Sequence, residues 1–319
     1  MASKQAVMDA VEAMGFRVDS NESLFLQQEL KAQEARLYLQ KFPEIMYPQL
    51  FPVISDGPGY KSVSYKVLDE YGQAEFGTPN SATTFVDAAL REIFAKVDII
   101  KKAYRYTYHD QQYAARTGLP LDATLSNICK RTIDTGVDSC SIIGDTTFNK
   151  VGLLTNAAST LTVTTVPADG TGSSSLWINK TATLILRDIN RLFSDIVTAT
   201  KGLYPANTLL LPPAQYDLIQ TLPLFTGTDV TVYSFLMKNR PGLKIYSVPR
   251  LAAVSILSSN DVMVAYQRTE EVLTFKVPVP FMAMPGVYTA DYDYQQTCFA
   301  DVAGMERKNP KAIAYGSGI

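Results

Sequence analysis

The stretch from Leu119 to Asn156 constrains this chain more than any other. Advancing about 100° per residue from Leu121, the side chains of Leu121, Leu125, Ile128, Cys129, Ile133, Val137 and Cys140 fall on one broad arc. The small residues Thr132, Gly136 and Ser139 lie within it. Asn127, Lys130, Arg131, Asp134 and Asp138 take the opposite side, which predicts an amphipathic helix with one buried and one wet face. Pro120 and Asp122 mark its start, with the Asp122 carboxylate accepting orphan amide hydrogens, and Gly144 marks its stop. A helix of about 20 residues is a rod of about 30 Å. Small residues on the apolar side let a neighbouring sheet approach closely, whereas an active-site helix more often presents a polar pair there. This element is a spine.

What precedes the spine cannot fold by itself. Residues 1–54 read as an arm: a short amphipathic piece around Val7, Val11 and Met14 stops at Gly15, and a second helix carries Leu26, Leu30, Leu37 and Tyr38. Pro43, Pro48 and Pro52 then break the chain into extended pieces, because each fixes φ and restricts its predecessor. So little apolar surface does not offset the entropy of ordering, and the arm must lie on something else. From Ser55 to Tyr106 the period is two. Val63, Tyr65 and Val67 alternate with Ser62, Ser64 and Lys66, and Ile93, Ala95, Val97 and Ile99 alternate later, around the turn-rich EYGQAEFGTPNSATT. A two-stranded ribbon is marginal in water, so this excursion packs on its own body or on another subunit.

After the spine, LTVTTVPADGTGSSS reads as a flexible loop and not as a phosphate cradle, since it has no Walker arrangement and no GxGxxG. Residues 180–201 are helical, with Leu184, Ile185, Ile189, Leu192, Phe193, Ile196 and Val197 at helical spacings up to Gly202. NTLLLPPAQYDLIQT is a buried strand followed by a proline-started helix, and LKIYSV is a similar strand after a short helix around Ser234 to Met237. Residues 180–260 thus form a compact α/β or α+β unit. From Asp261 the chain is strand-rich, with prolines at 278, 280 and 285 limiting these to edge or broken strands.

Candidate chemistry is sparse. The single histidine, His109, sits beside Asp110, but its conceivable thiol partners Cys129 and Cys140 lie on the apolar helix face as inert core thiols. Three cysteines, with Cys298, show no CxxC or metal-ligand spacing, and the odd number argues for a reducing compartment. The pairs Asp291 and Asp293, and Glu270 and Glu271, read as solvated strand faces; Lys101 and Lys102 follow the excursion. Asn179, Lys180 and Thr181 spell a glycosylation sequon, void in a chain with no secretory signal. Catalytic, cofactor-binding and metal sites are therefore expected to be none. Lys plus Arg is 29 and Asp plus Glu 31, a formal charge of 29 − 31 = −2, which is no nucleic-acid reader's balance. No apolar run is long enough to span a membrane, so a cytoplasmic origin and no membrane partner are expected.

The order of parts resembles the major capsid protein of tailed bacteriophages, the Hong Kong 97-type or Johnson fold. The resemblance is carried by FLQQEL at 25–30, FP at 42–43, FPV at 51–53, the SY…DEYGQA pattern ending at Ala74, GLPLD at 118–122, GD at 144–145, GLLTN at 152–156 and LLLPPAQYDLI at 209–219. Two places depart from it: GTPNSATTFVD stands where an acidic cluster and Leu-Pro are expected, and HDQQ where a glutamate is. The resemblance implies an α+β fold with an N-terminal arm at 1–54, an extended β loop at 55–106, a peripheral domain from 107–150 and 262–319, and an axial domain at 151–261. It further implies self-assembly as hexamers and pentamers into an icosahedral shell around double-stranded DNA, with portal, scaffolding and decoration proteins as partners. DNA contact would be non-specific, the shell would be assembled in the host cytoplasm and become the virion, and no enzyme activity or cofactor is implied. Scaffolding, if required, is expected from a separate protein. An encapsulin-type nanocompartment shell shares the fold, and a soluble α/β enzyme is the reading from another class.

Overall fold

The computed structural model describes residues 44–71, 87–118, 120–155, 163–225, 227–252, 261–289 and 291–319. Residues Ile45–Ile319 form one unit by their contacts. The two helices read in the arm, and the turn-rich tip of the excursion, lie outside the described residues. Within them the proline-broken stretch is corrected: α1 (Tyr47–Leu50) is a four-residue helix with Pro48 in its first turn, where a missing N–H costs nothing. Leu50 and Phe51 are fully buried, and β1 (Val53–Ile54) follows.

Hydrogen bonding divides the period-two region at one residue. β2 (Ser62–Tyr71) and β3 (Asp87–Lys96) pair antiparallel from Ser62 opposite Lys96 to Tyr71 opposite Asp87. After Val97, β4 (Asp98–Thr107) leaves this ribbon. The ribbon is therefore shorter than the span 55–106 read from the alternation, which continues through Val97 because β4 is a half-buried strand as well. α2 (Tyr108–Thr117) starts with a capping box between Thr107 and Asp110 and ends at Gly118 with φ +69°.

The spine is α3 (Leu121–Ile142), 22 residues long. Gly144 stops it, at φ +80° with its N–H on the Cys140 carbonyl at 3.0 Å, and a Cβ there would strike Thr155 and the Lys150 carbonyl. Three expectations are corrected. Asp122 does not cap the helix; its Oδ1 accepts from the Tyr104 hydroxyl at 3.0 Å. Ile128, on the predicted arc, is exposed, and Asp138, on the predicted wet side, is buried. Asp138 Oδ1 accepts the backbone N–H groups of Met46 at 3.0 Å and Tyr47 at 2.9 Å, and Oδ2 pairs with Arg250 at 3.2 Å. It is the capping group for α1, supplied from a distant helix.

β5 (Val163–Thr165) lies in the Thr/Ser/Gly text read as a loop, and the turn after it is tied by Thr171 N–H to the Asn179 carbonyl at 2.9 Å. There follow α4 (Ala182–Ala199), β6 (Thr208–Leu211), α5 (Pro213–Thr221), α6 (Val232–Asn239) and β7 (Lys244–Ser247), in agreement with the periodicity. The return runs through β8 (Val262–Tyr266), β9 (Leu273–Lys276), β10 (Val279–Ala283), β11 (Val287–Tyr288), β12 (Asp293–Val302), β13 (Gly304–Arg307) and β14 (Ile313–Ser317).

β4 pairs along its whole length with β12, from Asp98 opposite Val302 to Thr107 opposite Asp293. The spine lies on this pair: the Cys129 thiol reaches the Lys102 carbonyl at 3.6 Å, and Gly136 faces Ile100. β10 and β11 take the other side of β12, and the register slips between Val279 and Met282, around Pro280, as a proline in an edge strand requires. A second sheet runs β1, β9, β13; a third runs β5, β14, β8, β6, β7. In the third, Val262, Val264, Tyr266, Ile313 and Tyr315 face the core under the spine, while Met263, Ala265 and Ala314 face the core under α4. One sheet thus separates two cores. Tyr266 and Tyr315 keep their buried hydroxyls satisfied on the Leu50 and Leu153 carbonyls, each at 2.7 Å.

Candidate assembly surface

Among the described residues the ribbon of β2 and β3 packs chiefly against itself. Alternation gives it two faces: Val63, Tyr65, Val67, Ile93 and Ala95 are half-buried, and Leu68, Leu90 and Phe94 on the other face are 56 %, 63 % and 68 % exposed. Leu68 stands opposite Leu90 in register. The three apolar side chains share that face with Ser62, Lys66, Lys96 and the Ser64 hydroxyl, which donates to Glu92 at 2.8 Å.

A second exposed patch lies at the far end of the β4–β12 pair. Tyr106 stacks on Tyr294 at 4.9 Å and Tyr288 meets Tyr294 edge-on at 5.3 Å, while Tyr113, Tyr288, Tyr292 and Val287 are exposed. A cleft of about 380 Å³ opens here among Arg105, Tyr106, Asp110, Tyr113, Leu121 and Leu125. Tyrosine and arginine at such a patch match the composition of protein–protein interfaces.

No catalytic constellation assembles from the residues weighed in the sequence. His109 is exposed on α2, and Asp110 is committed to the cap, where the Thr107 hydroxyl and amide hold its carboxyl below the usual range. Burial pushes the Cys129 and Cys140 thiols up to about 11, so both are protonated at neutral pH and poor nucleophiles. Cys298 is buried and free as well. Asp293 pairs with Arg105 at 3.5 Å and Asp291 is exposed; Glu270 and Glu271 are exposed, as are Lys101 and Lys102. Among the described residues no group of three His, Cys, Asp or Glu side chains is placed to hold a metal, and no helix is long and apolar enough to cross a membrane.

Sequence reasoning missed the buried charges. Lys180 is fully buried against Asp188 at 2.7 Å, Asp169 at 3.2 Å and the Pro167 carbonyl at 2.8 Å, and Arg187 closes the group on both carboxylates, giving two cations to two anions. The signal was present: Asp188 falls on the apolar arc of α4 between Ile185 and Ile189, and a carboxylate there needs a partner. Lys150, buried at the ribbon's root, pairs with Asp98 at 2.9 Å. Glu306 on β13 is 3 % exposed, with neither carboxylate oxygen hydrogen-bonded, and burial holds its carboxyl above the ordinary range despite Lys276 and Lys308 nearby.

A family model described as major capsid protein matches residues 72–319. The chain belongs to the major capsid protein family. Solved structures agree on the fold. The capsid of Myoviridae phage XM1 is similar at TM-score 0.79 and 16 % identity, covering 92 % of this chain and 98 % of that one. The capsid of a native GTA particle is similar at TM-score 0.68 and 11 % identity, covering 94 % and 99 %. A virus-like particle from Pyrococcus furiosus is similar at TM-score 0.53 and 13 % identity, covering 85 % and 91 %. No curated protein matches in sequence. The architecture is the Hong Kong 97-type capsid fold, mixed helix and sheet.

Proposed function

We propose that this major capsid protein builds the icosahedral shell of a tailed double-stranded DNA phage, assembling as hexamers and pentamers in the host cytoplasm and becoming the virion's container. The ribbon carries this reading, because Leu68, Leu90 and Phe94 on its outer face are exposed among the described residues and a neighbouring copy would cover them. In this reading 1–54 is the arm, the ribbon is the extended loop, the spine and the β4–β12 pair form the peripheral domain, and the α4 core forms the axial domain around the symmetry centres. Portal, scaffolding and decoration proteins would meet the assembled shell. A formal charge of −2 suits a container that touches packaged DNA without gripping it.

A nanocompartment shell is the second reading, favoured by the similarity to the Pyrococcus furiosus particle. Electron microscopy of the purified protein beside size-exclusion chromatography tests the container. Closed shells, or pentamers and hexamers that close when conditions change, are expected. A stable monomer or dimer with no tendency to assemble overturns both readings and returns the search to enzymes. Absence of packaged nucleic acid in particles from infected cells would favour the nanocompartment.

A further inference from the structure

We propose that Lys150 is the latch that sets the direction of the β2–β3 ribbon, and so is a positioning residue for assembly. The inference rests on reading the ribbon as an inter-subunit element. Between the last ribbon pair and the first pair of the spine's sheet there is one residue, Val97, since β3 ends at Lys96 and β4 begins at Asp98. A single-residue junction is a hinge unless both sides are held.

Lys150 holds both. Its ammonium donates to the Lys96 carbonyl on the ribbon side and pairs with Asp98 Oδ2 at 2.9 Å on the sheet side. The Lys150 side chain is only 6 % exposed, so water competes poorly for either partner. Two further bonds close the joint: Asp98 Oδ1 meets the Lys96 ammonium at 2.8 Å, and the Val97 N–H donates to the Lys61 carbonyl at 3.0 Å. The Lys96 and Lys150 ammoniums together hold the Asp98 carboxyl below the usual carboxylate range.

The latch has a rigid mount. Lys150 and Asp145 exchange backbone hydrogen bonds at 2.7 Å and 3.0 Å, and Asp145 Oδ1 accepts the Thr147 and Phe148 amides at 2.7 Å and 3.2 Å. That turn follows Gly144, the residue that terminates the spine. Met305 N–H on the Val151 carbonyl at 2.8 Å fixes the next residue to β13. The orientation of the spine's end is thereby handed to the ribbon through one cation. A lysine placed only to fill space would need one carboxylate; this one spans the hinge.

The test uses the full chain with Lys150→Met, which keeps the apolar stem and removes the charge, and Asp98→Asn, which weakens the same joint from a more exposed position. Hydrogen exchange of the unassembled subunit and microscopy of its shells are read together. Amides at the ribbon root, Val97 above all, are expected to exchange about tenfold faster while spine amides stay protected. Shells are expected to be lost or to vary in diameter, and Lys150→Arg should restore both. Native shells from Lys150→Met with unchanged root exchange would overturn the latch, as would Asp98→Asn behaving as wild type if Lys150→Met does not fold. A parallel deletion of residues 70–85 separates the two ideas: if that deletion assembles normally the inter-subunit ribbon fails, and if it blocks assembly while Lys150→Met does not, only the latch fails.

Discussion

Glu306 sits in an environment at odds with its chemistry. Both of its oxygens are buried without a hydrogen-bond partner, and desolvation raises its carboxyl's affinity for a proton. A folded-state pKa above the unfolded one means that the native state binds the extra proton; the associated stability is full below the ordinary glutamate value and is lost as pH rises through the folded one. Chemical denaturation of the unassembled subunit at about pH 5 and about pH 8 should therefore show wild type weakening toward the higher pH beyond what other groups contribute. Glu306→Gln, neutral throughout, should narrow that difference; an unchanged pH slope would show that Glu306 is already compensated. Asp138 is the opposite case. It sits on the helix side the sequence assigns to solvent, yet it is buried because two amide donors of α1 and Arg250 converge on it. Helical periodicity reports which residues share a side, and a segment 91 residues away that needs a cap was invisible to it.

Among elements, the spine was the most legible, because 22 residues repeat one pattern and a glycine closes them. Gly136 in its middle was read as making room for a sheet. The sheet is there, but a Cβ at this position would sit 3.5 Å from Ile100 Cγ2, an ordinary contact. Gly136→Ala should therefore stabilise the subunit by about 0.5–1 kcal/mol through helix propensity and unfolded-state entropy, read as a shift in denaturant midpoint; a loss of stability would mean that the spine and β4 close further than this contact suggests. The ribbon was legible as alternation, but its end was not. Both β3 and β4 alternate, and the break at Val97 is set by β12, whose partner register only the folded chain supplies. The β5 strand was hidden for a similar reason: three residues of Thr and Val in loop-like text become a strand only because β14 offers them an edge.

At the scale of the whole fold, two cores of described residues lie on either side of the β5–β14–β8–β6–β7 sheet, while the ribbon draws little on either. Removing residues 70–85 should accordingly leave both cores folded, with near-native circular dichroism and cooperative unfolding, while ordered assembly is lost. Normal shells from this deletion would remove the ribbon from the interface. The resemblance implies a division into 107–150 with 262–319 and 151–261, and the central sheet takes β8 and β14 from the first and β5, β6 and β7 from the second. Side-chain alternation in β8 and β14 feeds both cores at once, and residues that serve two cores carry no mark of it in a single-chain pattern. The same strand has a consequence in time. β14 lies between β5 and β8, strands formed from chain made about 150 and 50 residues earlier, and Tyr315 and Ala314 each complete a different core. Until β14 has left the ribosome neither core is complete, so the fold closes late in synthesis, when the strand between β5 and β8 finally arrives.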